Sequence, residues 1–136
     1  MKRTIEQVVI AYRLLLEAKI DRMNDGEKSG LIRIMRALKP VAVGYDDFCK
    51  VAMEKSRPEG FDEIEAKMRE GEQLTEKETA TVNKFNADVQ KLANEELKNE
   101  AELDFKPLSE NALERLISGN SFSVGQIMAL SEVISE

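Results

Sequence analysis

A chain of 136 residues can bury one real core, and its make-up of 42% hydrophobic, 34% charged and 5% aromatic side chains suits long amphipathic helices. The formal charge of −6 argues against a general polyanion binder, and the total absence of histidine removes serine–histidine and cysteine–histidine catalysis as well as histidine metal ligation. No run of about 18 apolar residues occurs, so no membrane-spanning segment is expected.

The opening stretch MKRTIEQVVIAYRLLLEAKI begins basic, but Glu6, Gln7, Arg13 and Glu17 interrupt its apolar run and no small-residue cleavage site follows. It lacks the shape of a signal peptide, and a cytoplasmic location is the expectation. Thr4 with Gln7 three residues later fits a capping box, opening a first helix. Ile5, Val8, Val9, Tyr12, Leu15, Leu16 and Ile20 follow at helical spacing, and Val9, Leu16 and Met23 lie seven apart. Asn24-Asp25-Gly26 is expected to end this helix. The segment from Asp21 resembles a calcium loop only superficially: Met23 stands at its third position and Ile32 at its twelfth, where a carboxylate is needed.

A longer second helix is expected from about Glu27 to Lys55. Leu31, Leu38, Tyr45 and Ala52 repeat every seven residues, with Ile34, Val41 and Phe48 as a second row, and this seam calls for a facing helix. Pro40 removes a backbone donor and predicts a kink near residues 36–40 or a break into two helices; the apolar register, which carries through unchanged, favours one kinked helix. Arg57-Pro58-Glu59-Gly60 stops the helix, and a short one follows over about Phe61 to Glu70, closed by Gly71. Thr75 with Glu78 signals the start of a third long helix, running to about Glu100 with a narrow stripe of Val82, Phe85, Val89, Leu92, Ala93 and Leu97.

Leu103 to Leu108 reads as an extended connector, since a lone strand would have no partner for its backbone groups. Ser109 caps a short helix through Ile117, Gly119-Asn120 ends it, and Ser123 with Gln126 opens a last one. The expected fold is all-α: three longer amphipathic helices in an antiparallel bundle, the second kinked at Pro40, with a short central helix and a C-terminal helical hairpin. The expected division is a bundle over 1–104 and a hairpin over 105–136 that packs on the bundle or on a partner.

Charge is unevenly spread. Residues 31–58 carry six basic and three acidic side chains, whereas 59–104 carry six basic and fourteen acidic ones. Cys49, the only cysteine, can form no internal disulfide and reads as a small hydrophobe. No catalytic residue, cofactor or metal-ligand set emerges. The reading is therefore a non-catalytic protein-interaction or assembly module, a helical adaptor of bacterial or phage kind. It would act through a protein partner or through self-association, with no membrane and no nucleic acid. Two surfaces are candidates: the seam of Leu31, Leu38, Tyr45, Phe48 and Ala52, which a dimer could share, and Phe122, Ile127 and Met128 in the terminal hairpin.

Two alternatives follow from particular residues. Glu59, Asp62 and Glu65 recur at i,i+3, and with Asp88 this pattern resembles the magnesium site of all-helical nucleotide pyrophosphohydrolases. That family pairs Glu-x-x-Glu with a downstream Glu-x-x-Asp; here the second motif is Phe85-x-x-Asp88, with an apolar residue in a ligand's place. Arg33, Arg36 and Lys39, three apart, would suit phosphate contacts in a weak nucleic-acid-associated protein, but no aromatic platform or glycine-rich loop accompanies them.

Overall fold

A computed structural model describes residues 1–135. Six helices account for most of the described residues: α1 (Ile5–Leu16), α2 (Asp25–Ser56), α3 (Phe61–Arg69), α4 (Glu76–Leu97), α5 (Glu110–Ser118) and α6 (Val124–Ile134). The fold is an all-α helical bundle, and no helix is long and apolar enough to cross a membrane.

Side-chain caps set most helix starts. The Thr4 hydroxyl accepts from the Gln7 N–H at 3.2 Å while the Gln7 side chain accepts from the Thr4 N–H at 2.9 Å, and Ser123 and Gln126 repeat the exchange at 3.2 and 2.9 Å. Thr75 and Glu78 do the same at 3.1 and 3.0 Å, and Ser109 accepts from the Ala112 N–H at 3.2 Å. Each satisfies backbone donors that the first helical turn leaves open. Gly60 and Gly71, at φ 75° and 73°, flank α3 in the left-handed conformation that only glycine adopts without strain.

The first helix is shorter than its apolar period suggests. It ends at Leu16, and the chain turns through Ala18 to Met23. Asn120 holds this turn: its Oδ1 accepts from the Lys19 N–H at 2.7 Å, and its Nδ2 donates to the carbonyls of Lys19 and Leu116, each at 2.8 Å. Met23 still enters the core, 4% exposed, so burial continued the pattern after the helix had stopped. Asn24 opens α2 rather than closing α1, exchanging bonds with Glu27 at 2.8 and 2.9 Å. From there α2 runs uninterrupted through Pro40 as one helix.

A second correction concerns strands. Lys2–Thr4 (β1) pairs antiparallel with Glu100–Glu102 (β2), Lys2 opposite Glu102 and Thr4 opposite Glu100. The pairing continues into both neighbours, with Ile5 N–H donating to the Asn99 carbonyl and Leu103 N–H to the Met1 carbonyl, each at 2.8 Å. The extended connector makes one parallel bridge of its own, from Leu108 to Ser135. Backbone groups expected to lack partners find them in distant segments.

The chain divides into two compact units, residues 1–45 with those from Leu97 onward, and Asp46–Glu96. The terminal helices share the first unit's core. Val8, Ala11 and Leu15 of α1, Leu31, Ile34 and Leu38 of α2, Leu116 of α5, and Leu130, Val133 and Ile134 of α6 form one buried cluster. The principal partner of α1 is α6, at the opposite end of the sequence. Burying each large side chain here stabilises the fold by about 1.5–3 kcal/mol. Among the described residues no polar or charged side chain is buried, so this core contains no paired charge to specify it.

The second unit has a smaller core. Phe61 and Ile64 of α3, Ala52 of α2 and Ala93 of α4 are buried, and the Phe61 ring meets Phe85 at 4.7 Å between centroids. Arg57 lies 5.2 Å from the centroid of the Phe61 ring and forms ion pairs with Asp62 and Glu65, while Lys67 bridges to Glu78 at 3.0 Å.

Candidate functional site

The first unit carries an open groove of about 680 Å³ beside α1. Its apolar lining comes from Ile10, Leu14 and Leu16 of α1 and from Phe122 in the turn before α6; Arg13, Glu17, Asn120, Ser121 and Gln126 supply polar walls. Sequence explains why Ile10 and Leu16 face outward, whereas Leu14 and Phe122 are half-buried against the core. At 100° per residue, Ile10 and Leu14 lie off the stripe of Val8, Ala11 and Leu15 that enters the core. Leu16 stands on the final turn, where the chain leaves the helix, and is 60% exposed; Ile10 is 42% exposed.

Two fixed elements hold the groove open. The Asn120 bonds tie the α5–α6 turn to the segment after α1, and the Ser123–Gln126 box fixes the first turn of α6. Phe122 lies between these two anchors, half-buried against the core cluster. On α6 itself, Leu130, Val133 and Ile134 turn inward, while Val124 and Met128 share the outward face at 74% and 59% exposure. Isolated exposed aliphatics are ordinary, but here several large ones lie beside a formed groove.

The structure separates the residues that the heptad seam had grouped. Leu31 (4%) and Leu38 (0%) lie in the first unit's core, and Ala52 (3%) is buried in the second. Tyr45 and Phe48 are half-buried. As they stand, the three buried members offer a partner no surface. In the hairpin, Phe122 lines the groove, Ile127 is half-buried, and Met128 is open to solvent. Sequence periodicity missed Ile10, Leu14 and Leu16 because it assigned Leu16 to a packing face that would have continued to Met23.

Two of the four carboxylates of the magnesium alternative, Asp62 and Glu65, are otherwise engaged. Arg57 donates to both oxygens of Glu65, at 2.8 and 3.0 Å, and to Asp62. The hydrogen bond from Arg57 holds the Glu65 carboxyl below the usual carboxylate range, and the same pairing raises the guanidinium above its own. Here the guanidinium occupies the place a cation would need. No group of three or more carboxylates and thiols arranged to hold a metal occurs among the described residues. Cys49 is half-buried and free.

No protein-family model, curated protein or solved structure matches the chain.

Proposed function

We propose that this protein is a non-catalytic interaction or assembly module that receives an apolar helix of a protein partner in the groove beside α1. The observation that carries the reading is the set of large aliphatics left open around that groove, Leu16 above all, in a unit whose core is otherwise well filled. An amphipathic helix docks by inserting anchors at i, i+3 or i+4 into such a trough, and the polar rim of Arg13, Glu17 and Gln126 suits the charged flanks of such a helix. The outward face of α6 offers a second apolar contact.

The pyrophosphohydrolase-like alternative has less support, because Asp62 and Glu65 serve to anchor Arg57 at the start of α3.

Leu16→Lys with Ile10→Lys places two charges in the groove at positions already exposed, and should leave helicity and thermal midpoint near wild type. Affinity capture from the native cell, quantified by mass spectrometry, should then lose at least one partner retained by the wild type. Val124→Lys with Met128→Lys tests the α6 face separately. Identical partner sets for wild type and both double variants would refute the proposal.

A further inference from the structure

Between Glu27 and Asp46 the sequence carries Lys28, Arg33, Arg36 and Lys39 and not one carboxylate, in a chain with 26 acidic against 20 basic residues. A merely solvated helix face intersperses the two signs. Helical rotation places Ile32, Arg36, Lys39 and Val43 on one stripe of α2, with Arg33 at its margin, away from buried Leu31, Ile34 and Leu38. Ile32 and Val43 are 47% and 42% exposed, and the three cations between them are exposed too. The ion pairs of the described residues leave Arg33, Arg36 and Lys39 without a partner.

The same unit holds the opposite charge. Along β2 and the residues after it, Glu100, Glu102 and Asp104 alternate with inward-turned Ala101 and Leu103 and so share the exposed face, with Lys2 beside Glu102 on the neighbouring strand and Lys106 ending the row. Glu102 receives the Met1 amino group at 3.0 Å, while the carboxylates of Glu100 and Asp104 form no ion pair among the described residues. Arg33 and Asp104 line one groove of about 470 Å³, so the margin of the basic stripe meets the end of the acidic row there.

We propose that the partner of this surface is a second copy of the chain, related by a two-fold axis that lays the basic stripe of each copy on the acidic row of the other. A two-fold contact requires a patch complementary to itself, and adjacent fields of opposite sign meet that requirement. A polyanion approaching the stripe would meet the acidic row beside it and be repelled, which favours a partner that carries both signs. Carboxylates recur about every 6.6 Å along a strand and cations about every 4.5 Å along three helical residues, a mismatch that long arginine and lysine side chains absorb. Ile32 and Val43 add apolar contact at the ends of the stripe. This surface is separate from the α1 groove, and the inference does not depend on that reading.

Sedimentation velocity of the full chain over a concentration series is the test. At about 0.1 M salt, where screening reaches about 10 Å and mutes the net repulsion of two −6 copies, a reversible dimer is expected; at about 1 M, where screening reaches about 3 Å, it should dissociate. Arg36→Glu with Lys39→Glu, and separately Glu100→Lys with Asp104→Lys, should each yield monomers of unchanged helicity. Mixing the two variants restores attraction at both contacts and should return a heterodimer. A wild type that stays monomeric at about 0.1 M, a dimer that survives either charge reversal, or a mixture that stays monomeric would each overturn the proposal. A dimer abolished by Leu16→Lys but untouched by charge reversal would place self-association in the α1 groove instead, and would likewise refute it.

Discussion

Glu78 concentrates several local effects in one side chain. It accepts from the Thr75 N–H and, at 3.0 Å to each oxygen, from the Lys67 ammonium of α3, and these bonds, the backbone one foremost, hold its carboxyl below the usual range. A folded-state value below the unfolded one means that the stabilisation is complete above the unfolded value, about 4.3, and is lost as pH falls through the lower folded value. Thermal melts of the wild type should therefore drop on acidification through that window. Glu78→Gln keeps an oxygen for the cap but removes the charge, and should flatten this acid limb. Equal acid sensitivity in the variant would show that other carboxylates govern it. Thr75→Ala removes the reciprocal partner and should cost about 1 kcal/mol at neutral pH.

At the scale of elements, α2 shows what periodicity conveys and what it does not. Its length and the burial of Leu31, Ile34 and Leu38 were legible, because 3.6-residue spacing reports burial directly, whereas the apolar register alone left open whether Pro40 would split it. Caps at Thr4, Thr75, Ser109 and Ser123 were legible for a related reason: donor and acceptor lie within four residues. The β1–β2 pair was not, since three residues per strand carry no usable alternation and the partners lie at distant points of the chain. The end of α1 was hidden as well, because Ile20 and Met23 pack against the core from a turn that Asn120 secures. That hidden end also concealed the groove: of its apolar lining only Phe122 was singled out, and the exposure of Leu16 follows from where the helix stops. The two faces of α2 make a direct comparison. Leu38→Ala should cost about 2–5 kcal/mol in urea unfolding, whereas Val51→Ala, at a position 45% exposed, should stay within about 0.5 kcal/mol. Similar losses at both positions would contradict the assigned orientation.

For the whole molecule, the contrast between the units matters more than the helix count. The first has a contiguous cluster drawn from α1, α2, α5 and α6; the second buries two large hydrophobics, Phe61 and Ile64, alongside alanines. Local opening free energy follows buried apolar contact, so the backbone amides of α3 should exchange hydrogen well before those of α1 and α6. Mass-detected exchange at neutral pH would show this, and protection of α3 equal to that of α6 would argue that its core is better shielded than its side chains indicate. The first unit, for its part, relies on a single carboxamide at Asn120 to join the turn after α1 to the end of α5. Hydrolytic deamidation there would leave an acceptor for Lys19 but replace both donated bonds with a carboxylate facing two carbonyl oxygens. Chemical ageing at that one position would thus loosen the chain crossing beside the groove and leave the helices themselves intact, so stored protein would lose the shape of the groove before its helical content.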